Sequence, residues 1–179
     1  MLRASLASAI GLSTALAAGW IVFPRVLYQR QSQPVEFRHQ THAAKSGTAQ
    51  CTDCHVLRED GEFAGLPSIE SCAGCHAEPM GTAKAEATLV ADFVKPHREM
   101  PWLVYSRQPA NVRFSHAIHV RRAGLECKEC HAGRGESDAL GPYRQNRISG
   151  YSVSLLTMSQ CESCHRDRHV EAGCLGCHE

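Results

Sequence analysis

The feature that most limits what this chain can fold into is a five-residue pattern that occurs five times. It reads Cys51-Thr52-Asp53-Cys54-His55, Cys72-Ala73-Gly74-Cys75-His76, Cys127-Lys128-Glu129-Cys130-His131, Cys161-Glu162-Ser163-Cys164-His165 and Cys174-Leu175-Gly176-Cys177-His178. All 10 cysteines among the 179 residues lie in these units. A single Cys-x-x-Cys pair suits a redox disulfide, and two such pairs suit zinc. Cys54 and Cys72 are separated by 17 residues, inside the usual spacing of a zinc ribbon. Five pairs, however, cannot be grouped into four-cysteine sites without leaving one pair alone. Histidine also follows every pair, which at the chain's histidine frequency has a chance of order 10⁻⁶.

Haem c attachment accounts for both facts. Two thiols one helical turn apart add to the two vinyl groups of one haem, and the adjacent imidazole binds the iron. The sequence therefore predicts five covalent haems, held by thioethers from Cys51, Cys54, Cys72, Cys75, Cys127, Cys130, Cys161, Cys164, Cys174 and Cys177. The proximal ligands are His55, His76, His131, His165 and His178. The aromatics number only 2 Trp, 4 Tyr and 5 Phe, thin for a packed core at this length. A mainly α fold with much irregular structure is expected, with short helices and loops wrapped on a haem array. No segment sustains the period-2 alternation of a strand.

The formal charge of +1 excludes a nucleic-acid binder working through a basic surface. Haem propionates lie outside that count, and Arg121, Arg122, Arg144, Arg147, Arg166 and Arg168 are candidates to neutralise them.

Six histidines lie outside the motifs: His39, His42, His97, His116, His119 and His169. Four of them form two copies of one pattern, Phe37-Arg38-His39-Gln40-Thr41-His42 and Phe114-Ser115-His116-Ala117-Ile118-His119. Positions i and i+3 share one helix face, so two imidazoles can reach two neighbouring haems. His97 and His169 are further distal candidates. Met100 and Met158 are weaker ones, since methionine more often fills gaps against porphyrin.

From Ala4 to Phe23 no residue is charged, and Trp20 and Tyr28 stand where interfacial aromatics are found. At about 1.5 Å per residue this run covers about 30 Å, a bilayer's hydrocarbon thickness. An uncleaved anchor is the leading reading. A signal peptide cut near Ala15-Leu16-Ala17 competes with it, and a buried soluble helix is a third reading. Residues 1–34 thus read as anchor and stalk, 35–78 as a dihaem module, and 112–179 as a trihaem module. Residues 79–111 connect the modules, by a helix over Thr82–Val94 that Lys95-Pro96 ends and then an extended linker with Pro101 and Pro109.

The F-x-H-x-x-H…C-x-x-C-H arrangement resembles the cytochrome c3/c7 class, where paired histidines cap different haems. That resemblance implies that His39 and His116 cap the haems of His55 and His131, and that His42 and His119 cap others in their modules. Pro101-Trp102-Leu103-Val104, Pro109, the stretch from Val112 to Cys127 and Met158–Arg166 are similar to a multihaem family of membrane quinol-oxidising complexes. Five motifs and one anchor most resemble the pentahaem subunit of alternative complex III, with the cytochrome subunit of quinone reductase complexes close behind. The resemblance also leads us to expect a histidine where this chain has Ser106.

The resemblance implies an electron-transfer subunit, not itself an enzyme, on the periplasmic face of the bacterial cytoplasmic membrane. Its partners would be iron–sulfur or molybdopterin-like subunits and polytopic quinol-binding subunits. Electrons would leave to a soluble cytochrome c, a copper protein or an oxidase. Two other classes compete: an anchored quinol dehydrogenase of the NapC/NrfH type, and a multihaem reductase with one open iron.

Overall fold

A computed structural model describes residues 2–45, 50–61, 65–171 and 173–178. The chain divides into two compact units that are not contiguous in sequence. One gathers Met1–Ser32, Tyr105–Arg107 and Pro142–Leu155; the other gathers Gln33–Val104, Gln108–Gly141 and Leu156–Glu179. Residues 142–155 therefore fold with the N-terminal segment, although they interrupt the stretch that carries the last three motifs.

The first unit begins with helix α1 (Leu2–Ala17), a wider π turn at Ala18–Val22 and helix α2 (Phe23–Leu27). The π turn has a local cause. Pro24 brings no N–H, and its ring would press on the carbonyl four residues back. In the widened turn the Phe23 N–H reaches the Ala18 carbonyl instead. Ser5–Leu27 is 23 residues long, with Arg25 its only charge, and nowhere buried, which makes it a candidate membrane span. The buried-helix reading fails here, since Leu6, Ile10, Leu12, Leu16, Ile21 and Phe23 are all exposed. Thr14 returns its hydroxyl to the Ile10 carbonyl at 2.9 Å, so the run leaves that group satisfied.

Strand β1 (Tyr28–Gln31) then pairs antiparallel with β2 (Tyr143–Asn146), with Tyr28 opposite Asn146 and Arg30 opposite Arg144. No strand is expected from the sequence here, because Tyr-Gln-Arg-Gln and Tyr-Arg-Gln-Asn carry no apolar alternation. Polar pairing replaces it: Gln145 Oε1 accepts from Gln29 Nε2 at 3.0 Å and from Gln31 Nε2 at 2.7 Å. Tyr143 is buried, its ring edge-on to Tyr105 at 5.4 Å, and the Arg147 N–H caps the Leu27 carbonyl at 2.8 Å.

The second unit has a small apolar core of Val35, Ile69, Phe93 and Val94, flanked by Leu89, Met100 and Trp102. It positions the second motif. Ile69 opens helix α4 (Ile69–His76), and Phe93 and Val94 end the helix formed by α5 (Lys84–Leu89) and the π turn Val90–Val94. That helix agrees with the one expected over Thr82–Val94, and Phe93 and Val94 close it onto α4. The remaining elements are short: α3 (His39–Lys45), a 3₁₀ turn at Cys51–Asp53, a π turn at Ala117–Arg122, α6 (Cys127–Cys130), α7 (Met158–Asp167) and α8 (Cys174–Cys177).

Candidate haem-binding sites

Every motif sits on a helical turn. The His55, His131 and His178 N–H groups bond the carbonyl of the first cysteine of their motif at 2.8, 2.9 and 2.9 Å. Each turn thus carries both thiols and closes on its histidine. Three turns are opened by a side chain reaching back to the N-cap N–H: Asp53 to Gln50 at 3.4 Å, Glu129 to Glu126 at 3.0 Å and Gln160 to Thr157 at 2.8 Å. None of the ten cysteines is joined to another in a disulfide, and all are exposed or half-buried. Among the described residues, no three of His, Cys, Asp and Glu converge as a zinc centre requires.

The two F-x-H-x-x-H copies adopt one geometry. Phe37 stacks on His42 at 4.4 Å and meets His39 edge-on at 4.9 Å. Phe114 stacks on His119 at 4.4 Å and meets His116 edge-on at 4.8 Å. The second histidine of each copy donates from Nδ1 to the carbonyl four residues back, His42 to Arg38 and His119 to Ser115, both at 2.8 Å. With the proton on Nδ1, the Nε2 lone pair points away from the turn.

Three of these rings face motif histidines. The centroid separations are 6.2 Å for His42 and His76, 6.5 Å for His116 and His131, and 6.1 Å for His119 and His165. Two metal–nitrogen bonds of about 2.0 Å, plus about 1.1 Å from each nitrogen to its ring centre, separate such centroids by about 6.2 Å. The spacing fits one iron between each pair. The planes lie at 55°, 10° and 19° respectively. His39 lies near His55 and donates from Nδ1 to Ser137 Oγ at 3.3 Å. Burial, then the neighbouring His55, His42 and Arg134, hold His39 below its usual pKa. Burial first and nearby cationic groups second do the same for His116 and His131. All three shifts favour the neutral imidazole that a metal needs.

The motif histidines are fixed by partners that sequence reasoning missed. His55 donates from Nδ1 to the Gly65 carbonyl at 3.0 Å and His178 to the Asn111 carbonyl at 3.2 Å. His76 donates instead to a carboxylate, Glu86 Oε1, at 2.9 Å. Glu86 also accepts the Met80 N–H at 2.8 Å and the Gly81 N–H at 3.0 Å. The Met80 N–H foremost, with the His76 ring and the Gly81 N–H, holds its carboxyl below the usual range. No sequence signal singles out Glu86, ten residues beyond the motif on another helix.

The thiols show which motifs adjoin. Burial and then Cys54 push Cys72 up, burial and Cys51 push Cys127 up, burial and Cys164 push Cys130 up, and burial and Cys177 push Cys161 up. Each pair of cysteines so related comes from two different motifs. Cross-bonds support the joins: the Gln40 N–H to Ser137 O at 3.1 Å, the Ala117 N–H to Gly61 O at 3.0 Å, and Arg168 to Glu129.

The other candidates are placed differently. His97 and His169 are exposed and have φ of 51° and 54°. Each ends a helix where glycine is usual, with Arg98 N–H reaching Phe93 O and Val170 N–H reaching His165 O. Neither faces a motif histidine among the described residues. Met100 packs on the apolar core and Met158 is exposed at the start of α7. Ser106 donates to the Ser154 carbonyl at 3.4 Å within the first unit.

Two family profiles match the chain: the class III cytochrome c family over residues 22–101, and cytochrome c7 and related cytochromes c over residues 112–179. The multihaem cytochrome c subunit of menaquinone reductase from Nitratidesulfovibrio vulgaris is 40% identical over 95% of this chain and 88% of its own length. The chain is a multihaem cytochrome c of the c3/c7 class. For a cytochrome of this class, unpaired thiols along helical turns and facing imidazoles are the expected donor set, and the residues present fit covalent haem c.

Proposed function

We propose that this cytochrome relays electrons as the haem-bearing subunit of a membrane-bound, quinone-linked oxidoreductase. The observation that carries the reading is the set of three imidazole pairs 6.1–6.5 Å apart. It stands in a chain similar to a menaquinone reductase subunit. A haem c on each of the five motifs supplies a one-electron Fe(III)/Fe(II) couple. His55, His76, His131, His165 and His178 hold the proximal side. His39, His42, His116 and His119 hold four distal sides, and the fifth, opposite His178, falls to His97 or His169. Imidazole on both sides of an iron leaves no position for substrate, so these residues support transfer rather than turnover.

Quinone chemistry then belongs to partner subunits: polytopic quinone-binding ones and iron–sulfur or molybdopterin-like ones. A soluble cytochrome c, a copper protein or an oxidase exchanges electrons at the far side. The helix Ser5–Leu27 anchors the subunit in the bacterial cytoplasmic membrane, with the haem-bearing unit on the periplasmic face. The relative's name supports electron flow toward menaquinone. The five motifs favour a second reading of the parent complex, the pentahaem arrangement of alternative complex III, in which quinol is oxidised.

The test is rapid mixing of a soluble menaquinol analogue with the extracted complex and, separately, with the isolated haem-loaded chain. Exchange in the complex alone is the expected result. Fast reduction of the isolated chain replaces the reading with an independent quinol dehydrogenase of the NapC/NrfH type. Stoichiometric carbon monoxide binding at one haem of the unmutated chain replaces it with the reductase reading.

A further inference from the structure

We infer that Glu86 makes the second motif, Cys72–His76, the site of most negative reduction potential in the haem array. The inference rests on the relay reading above. Three observations carry it. First, the acceptor on His76 Nδ1 is a carboxylate, whereas His55, His178, His42 and His119 donate to carbonyls and His39 to a hydroxyl. Second, the pair is sheltered, with the His76 and Glu86 side chains 16% and 14% exposed. Third, α3 adjoins the second motif, its His42 facing His76 and its His39 leaning on Ser137.

The physical effect has one sign. A carboxylate draws the Nδ1 proton toward itself, and the ring becomes a stronger σ donor at Nε2. Stronger donation stabilises ferric over ferrous iron. The carboxylate's own negative charge, little screened at this exposure, stabilises the ferric state as well. Two backbone N–H groups from Met80 and Gly81 hold Glu86 in place, so its charge does not swing away. Glu86 is a positioning residue: it acts on the iron through His76.

The geometry also provides a way to follow this site by itself. The His42 and His76 planes are tilted by 55°, against 10° and 19° in the other two pairs. Tilted imidazole planes give a more anisotropic low-spin ferric EPR signal than near-parallel ones, so this iron's signal differs from those of the other two pairs.

The experiment is an EPR-monitored redox titration of the full-length, haem-loaded protein, unmutated and as Glu86→Gln. In the unmutated protein the anisotropic signal should be the last lost on reduction. In Glu86→Gln, whose amide still accepts from His76 but carries no charge, that signal should be lost earlier while the other steps keep their midpoints. A purely structural role would change haem content or spin state and leave the midpoint in place. If the anisotropic signal is not the last lost, the inference is overturned without any variant. An unmoved midpoint in a fully loaded Glu86→Gln overturns it too. A high-spin or partly loaded unmutated protein counts against the relay reading itself, so the two failures are distinguishable.

Discussion

His119 has two attachments, a ring stack on Phe114 and a bond from Nδ1 to the Ser115 carbonyl, and its ring lies 6.1 Å from that of His165. His119→Ala should therefore convert one haem of five to a high-spin, carbon monoxide-binding form. The haem proposed between His131 and His116 should stay low-spin; EPR and reduced-state carbon monoxide difference spectra check both. Arg121 and Arg122 should not rescue it, because a guanidinium offers iron no lone pair. The haem c class and the shared geometry of the two F-x-H-x-x-H turns were legible in the sequence because each pattern is local, written within five or six consecutive residues. Glu86 was not legible, because its meaning depends on a fold that brings α5 beside His76. His97 and His169 carried a histidine's signal, but nothing in the sequence foretold that each also ends a helix at positive φ.

At the scale of elements, the support of each site comes from unlike neighbours. Gly61 accepts the Ala117 N–H with φ of +74°, and a Cβ on it would lie 2.3 Å from that of Ala117. Gly61→Ala should cost about 1–2 kcal/mol in backbone strain alone, and the clash adds to it by pushing the His116/His119 turn away. The expected result is a lower denaturation midpoint together with growth of high-spin signal, read by absorbance on the same sample. Ile69 is 2% exposed and fixes the start of α4 on Val35, Phe93 and Val94. Ile69→Ala should cost about 2–5 kcal/mol, measured by denaturant unfolding of the haem-loaded protein. The connecting helix was readable from its apolar spacing, but the ribbon was not. Its strands are polar, and their partners are more than a hundred residues apart, so no local pattern reports the pairing.

For the whole molecule, intact mass should exceed the polypeptide by five haem masses, and a zinc-loaded, haem-free product from a maturation-competent host would reject the account. Deleting Ser5–Leu27 behind a cleavable export signal should move the loaded protein from membrane to soluble fractions with its spectrum unchanged. The order of events during biosynthesis follows from a bond already described. His39 rests on Ser137, 98 residues further along the chain. A chain exported N-terminus first presents its first motif for loading long before Ser137 has emerged. During that interval His39 has Phe37 beside it but no hydroxyl beneath it, and the earliest cofactor to be attached waits on a late stretch of polypeptide. A chain ended at residue 111 should thus carry two haems and show an incompletely formed sixth position at the first. Maturation closes backward: what is exported last finishes what was attached first.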